Sequence, residues 1–300
     1  MTALQRGYPV HLELLGIAAI AEYISDRAEC NKTNEEFAMS STSSLGRHGP
    51  VPGESNAVEW ETRCDLAACY RLVDHYGWSD LFGTHISLRV PGTEHFLLNP
   101  YGMLFGEITA SSLIKVDEGG NIVGESDFPI NPAGFTIHSA VHLSSDVMNA
   151  VLHTHTPAGT AVSCMKDGLL PSNQKALLIL GMVAYRDYGS VALDHSERER
   201  ILNNLGDNRI LVLRNHGLLT VGETIAEAFF WMYRMEMACQ YQVDILSCGQ
   251  ELQYPTKETQ DYTIKVGKKL NSNRRTDMET RQWAAMLRQL ERDVGTDWRN

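Results

Sequence analysis

At 300 residues the chain can hold one core of roughly 200 to 250 residues with extensions at its ends. Its composition, 43% hydrophobic and 21% charged, supplies apolar material for such a core and excludes a wholly disordered chain. A formal charge of −11 without a Lys/Arg-rich run argues against nucleic acid and anionic lipid as partners, and no apolar stretch approaches the roughly 20 residues of a bilayer span.

Two further features bear on compartment. Glu13 interrupts the apolar patches between Met1 and Ala21, and there is little positive charge before them, so a signal peptide fits poorly. Six cysteines (Cys30, Cys64, Cys69, Cys164, Cys239, Cys248) form no CxxC pair in a chain too large to need staples, and read as buried thiols. The expected location is cytoplasmic.

Taken in chain order, residues 1 to 56 are an N-terminal extension, apolar to Ile24 and then rich in Ser, Thr, Asn, Gly and Pro, a composition that buries little. Trp60, Cys64, Ala67, Ala68, Leu72 and Tyr76 recur at helical spacing and predict a helix over 59–76. Strands follow at 85–90, 95–99 and 113–116, each bounded by turn residues. Asn131-Pro132-Ala133-Gly134 leads into a helix over 135–143, and Ala150 to His153 returns as a strand. Pro157 opens a helix to Met165 at the turn where its missing N–H does no harm. A surface helix spans 196–205. Strands at 210–213 and 218–221 flank Arg214-Asn215-His216-Gly217 and precede a long helix over 224–246. The domain is expected over 57–250. Residues 251–300 form a tail whose helix over 277–294 is an interface or lid.

Strand side chains alternate faces, so His153 and His155 point the same way about 7 Å apart at Cα, and both can reach one ion. His216 sits at another strand end. Three imidazoles would suffice for Zn²⁺, Mn²⁺, Fe²⁺ or Co²⁺ with positions left for substrate. On spacing alone, hydrogen-bonding histidines and an unconnected turn residue explain the pattern as well.

From about Trp60 to Gly249 the sequence resembles the class II aldolase and adducin family. The residues that carry the likeness are the runs Tyr70 to Trp78, Thr109 to Asp117, His153 to Ala158 and Leu213 to Gly217, in that order. The resemblance implies an α/β fold with a central, mostly antiparallel sheet flanked by helices. It also implies one divalent ion per subunit on His153, His155 and His216, and a homotetramer. In the sugar-phosphate enzymes of the family the ion polarises substrate carbonyl or enediolate oxygens as a Lewis acid.

This chain departs from those enzymes in one segment. Aligned on His138, Gly134 stands where they carry a catalytic glutamate, and Pro132-Ala133 where they carry phosphate-binding serines. Tyr101-Gly102 replaces a Thr-Gly loop that contacts phosphate there. A lyase of aldolase or decarboxylase type, acting on a non-phosphorylated organic or aromatic acid, is therefore the leading expectation. His138 and His85 are the candidates for moving the proton, although packing explains both. Tyr185 is a further catalytic candidate, for which, as for Tyr188, core or interface packing is the plainer account. A non-haem Fe(II) oxygenase on the same three histidines is the alternative. An adducin-like binding module comes last, because the resemblance associates actin and spectrin binding with changed metal ligands and a long basic tail. Here all three histidines are present and the last residues are not lysine-rich.

Overall fold

The computed structural model describes residues 57–144, 147–189, 196–272 and 278–300. The 1–56 extension and the segment around 190–195 lie outside the described residues. Seven strands form one sheet in the order β3-β2-β1-β4-β7-β6-β5. They are β1 (His85–Arg89), β2 (Phe96–Leu98), β3 (Ile114–Val116), β4 (Ala150–Thr154), β5 (Val183–Arg186), β6 (Ile210–Leu213) and β7 (Gly217–Gly222). Every pairing is antiparallel except β5 with β6. The sheet is thus mixed and mostly antiparallel, as the resemblance implies.

Alternation along the strands sends apolar side chains to both faces, and helices cover both. On one face α1 (Ala57–His75) and α6 (Ile225–Ser247) enclose Leu152, Leu218 and Val212 together with Leu66, Phe229 and Met232. On the other, α2 (Pro132–Ser144) and α5 (Ser196–Leu205) bring Ile137, Val141, Ile201 and Leu205 onto Val151, Leu211 and Val221. The helix α3 (Pro157–Cys164) starts where expected, with Thr156 accepting from the Gly159 amide and Pro157 in the first turn. Thr224 caps α6 in the same way, accepting from Glu227 N. The helix α2 begins three residues before the predicted start, because Asn131 accepts from the Gly134 amide and Pro132 suits a first turn.

Two α-helices and one strand were not predicted. They are α4 (Gln174–Ile179), the edge strand β5, and α7 (Lys257–Ser272). The first two are short, and the third is polar on most of its surface. The last helix, α8 (Trp283–Val294), packs on α1 of the same chain: Trp283 Nε1 donates to Asp65 at 3.0 Å and Tyr76 reaches Gln289 at 3.3 Å. The final residues add Arg71 to Asp297 at 2.7 Å. Two cysteines depart from expectation: Cys164 and Cys248 are exposed, lying at or just beyond helix C-termini, while Cys69 and Cys239 are buried and Cys64 is partly so.

One buried phenol ties α1 to the sheet. Tyr70 Oη accepts from Ile86 N at 2.9 Å and Asn99 N at 3.1 Å, and also contacts Ile86 O and Asn99 Oδ1. Tyr70→Phe strands these groups away from water and is expected to lower stability by about 2 kcal/mol, read from urea denaturation. A loss within error of zero would show that the network relaxes around the phenylalanine.

Candidate metal centre

The strand β4 lies between β1 and β7, and this placement assembles the site. Register sets His153 opposite His85 on β1 and Leu219 on β7. His216 arrives in the turn between β6 and β7, where Asn215 adopts φ 57°, a left-handed conformation that asparagine tolerates. Gly217 follows because a Cβ there would lie 2.4 Å from the Thr154 carbonyl. That close approach of β7 to β4 brings His216 onto His155.

The three imidazoles converge through their Nε2 atoms, 2.9 Å between His153 and His155 and 2.9 Å between His155 and His216. One ligand atom from each lies within 4.8 Å of the others. His153 is buried, whereas His155 and His216 are partly open to solvent, so the cluster sits at a rim. Hydrogen bonds fix the tautomers. His153 Nδ1 lies 2.8 Å from the Leu218 carbonyl and His155 Nδ1 lies 2.9 Å from Asp80 Oδ2, both acceptors, so each Nδ1 carries a proton and, in a neutral ring, the Nε2 lone pair is left for an ion. Burial holds His153 well below the ordinary histidine range, and burial together with its neighbours His155 and Arg186 takes His216 down to about 4. Bare lone pairs at such separations repel unless a cation lies between them. The donor set therefore fits a divalent ion, with nitrogen ligands suited to Zn²⁺, Mn²⁺, Fe²⁺ or Co²⁺.

Asp80 escaped the sequence reading, since nothing in Ser79-Asp80-Leu81 marks it. Its role is to hold the His155 ring by the outer nitrogen. Asp80→Ala is expected to weaken metal binding about 10- to 100-fold by calorimetric titration. Unchanged affinity would reduce Asp80 to a surface contact.

His85 and His138 are also brought to this centre. The His85 ring stands 5.0 Å from that of His153, centroid to centroid, and its Nδ1 lies 2.6 Å from His138 Nε2. Both are buried, and desolvation holds both well below the usual range and hence neutral. Gly134 faces His85 directly: a Cβ on it would lie 2.7 Å from His85 Cδ2. The histidine ring thus fills the space beside the position where a glutamate was expected. Tyr185 is placed differently. Its hydroxyl accepts from Leu169 N at 2.9 Å and the Arg214 guanidinium lies 4.3 Å over its ring, contacts that give it a packing role on β5. Tyr188 is exposed.

The sequence model of the Class II Aldolase and Adducin N-terminal domain matches residues 64–243. The chain belongs to the class II aldolase and adducin family. It is 54% identical over 202 residues to a Pseudomonas aeruginosa protein named after the class 2 aldolases, a match covering 67% of this chain and 78% of that one. Rat alpha-adducin is 49% identical over 189 residues, or 62% of this chain and 26% of the adducin. Among solved structures, the L-fuculose 1-phosphate aldolase of Glaciozyma antarctica superposes with a TM-score of 0.69 at 27% identity, covering 82% of this chain and 96% of that one. The family includes metal-dependent aldolases and the adducins alike, and none of the described helices is long and apolar enough to cross a membrane.

Proposed function

We propose that this protein is a divalent-metal-dependent lyase of aldolase or decarboxylase type, acting on a small non-phosphorylated organic or aromatic acid. The observation that carries the reading is the convergence of three Nε2 atoms, with the outer nitrogens of His153 and His155 already committed to Leu218 O and Asp80. His153, His155 and His216 would hold the ion, which when bound acts as a Lewis acid on substrate oxygens. His85, beside the triad, handles the proton on the substrate side, and His138 orients it from behind.

Substrate class follows from what replaces the phosphate site. Gly134 and Pro132 offer no hydroxyl or carboxylate, and Tyr101, half-exposed and packed edge-on against Phe82, presents an aromatic wall. The turn carrying His216 also borders a cavity of about 410 Å³ whose lining includes Lys166, Arg214 and Asp187. Metal-loaded protein assayed on a panel of 2-oxo, hydroxy and aromatic carboxylic acids is expected to turn over at least one of them, with loss of activity in a His153→Ala, His155→Ala variant. No turnover across the panel, with or without dioxygen, would sink the enzymatic reading.

A second reading is an adducin-like binding module, favoured by the 49% identity to alpha-adducin across the same domain. Actin co-sedimentation of the metal-loaded protein distinguishes it. We further propose a homotetramer, which the family membership supports and light scattering tests, located in the cytoplasm, where the five free cysteines among the described residues would stay reduced.

A further inference from the structure

Behind the metal centre runs a row of polar groups that metal binding does not explain. Ser87 on β1 faces α2, and its hydroxyl lies 2.7 Å from His142 Nε2 and 2.5 Å from His138 Nδ1. His138 Nε2 in turn meets His85 Nδ1 at 2.6 Å. Four groups from one strand and one helix thus form an unbroken file, His142, Ser87, His138, His85, ending beside His153. All four are buried, with Ser87 and His138 fully so. Burial in so apolar a place is costly for polar groups unless each finds its partner, and three histidines are a costly way to fill a core. Phe96, its ring tilted against that of His142 with centroids 4.7 Å apart, marks how apolar the surroundings are.

The chemistry of the file restricts its hydrogens. All three rings are buried and the file contains no carboxylate to balance a charge, so each ring is neutral and carries one N–H. The serine has one hydrogen and stands between two ring nitrogens, so it donates to one and accepts from the other. If His142 donates from Nε2, Ser87 must donate to His138 Nδ1, His138 must donate from Nε2 to His85 Nδ1, and His85 keeps its proton on Nε2. If instead His85 donates from Nδ1, every bond reverses. Only two orders satisfy all three bonds, and in each the three rings share one tautomer, all Nε2–H or all Nδ1–H.

We propose that this file is a two-order hydrogen-bond element, with Ser87, His138 and His142 as positioning residues that set which face of His85, a proton donor or a proton acceptor, is presented at the metal centre. The inference rests on the lyase reading for its purpose, but not for its test. The two orders hold the same number of hydrogens and differ at their ends: His85 Nε2–H with a bare His142 Nδ1 in one, a bare His85 Nε2 with His142 Nδ1–H in the other. No ring changes its charge between them. His142 Nδ1 is buried away from solvent, so the file sets the tautomer of His85 and passes no proton out through its far end.

The test is long-range ¹H–¹⁵N correlation on full-length protein labelled with ¹⁵N-histidine, signals assigned by single His→Gln substitutions. His85, His138 and His142 are expected to show the same tautomer, or the same ratio of the two, with and without Zn²⁺. Ser87→Ala should release His142 from that agreement while His85 and His138, still joined to each other, keep a common tautomer. A wild-type protein in which any one of the three rings differs overturns the proposal, as does a Ser87→Ala protein, folded by circular dichroism, in which His142 is unmoved. Because the readout needs neither turnover nor bound metal, it stands or falls separately from the lyase reading.

Discussion

His153→Ala combined with His155→Ala is expected to abolish metal binding. Elemental analysis of wild-type protein, purified without chelator, should show near-stoichiometric Mn, Fe, Co or Zn, and the double variant none. The loss should also be visible in stability. An ion that binds only the folded state adds about 2.7 kcal/mol when its free concentration is 100 times Kd, which for a domain of this size raises Tm by about 5 to 10 °C. The variant should gain nothing from the same addition. His153 is buried and its outer nitrogen is bonded to the Leu218 carbonyl, so its removal leaves that acceptor without its donor; His155, partly exposed, leaves only Asp80 at the surface. A wild-type protein that holds no metal even after reloading would sink the lyase and oxygenase readings and leave the binding module.

The second large effect concerns Gly134. Restoring the glutamate that the sugar-phosphate enzymes carry, Gly134→Glu, places a Cβ 2.7 Å from His85 Cδ2 and a carboxylate in buried surroundings. Overpacking and an unpaired buried charge together are expected to cost about 3 kcal/mol or more in chemical denaturation. Removing the obstruction should recover part of it: with His85→Ala in the background, the penalty should shrink by about 1 to 3 kcal/mol, the coupling typical of residues in contact. Additive effects would mean that His85 and Gly134 are independent. The expected coupling would identify the glycine and histidine as one exchange, in which a ring on a strand has taken the place of a carboxylate on a helix.

Much of this was legible in the sequence because the signals are local and periodic. The alternation in Val151 to His155 fixes which side chains share a face, and the Asn-His-Gly turn places His216 at a strand end. What the sequence could not reveal depends on partners far apart along the chain. His85 and His153 are 68 positions apart in numbering yet directly opposed across two strands. Asp80 reaches His155 from a loop with no pattern of its own. Ser87 between two histidines of α2 reads locally as an ordinary inward strand residue; only the packing of helix on sheet shows that it bridges them. The contact of the Tyr185 hydroxyl with Leu169 N, 16 positions away, is likewise a product of packing that no local pattern marks. The polar α7 and the four-residue β5 were missed because neither carries enough apolar periodicity to stand out.

The Tyr70 hydroxyl has a bearing beyond the stability of α1. It grips both the N–H and the C=O of Ile86, the residue between His85 and Ser87. A strand has parity: shifting it by one position exchanges its two sides. Were β1 to slide by one residue against β4, Ile86 would turn toward α2, and His85 and Ser87 would face the apolar layer under α1. A phenol on the far side of the sheet, touching neither ion ligand nor proton carrier, is thus a guardian of handedness for the chemistry opposite, and an engineer redesigning the metal centre would do well to leave it alone.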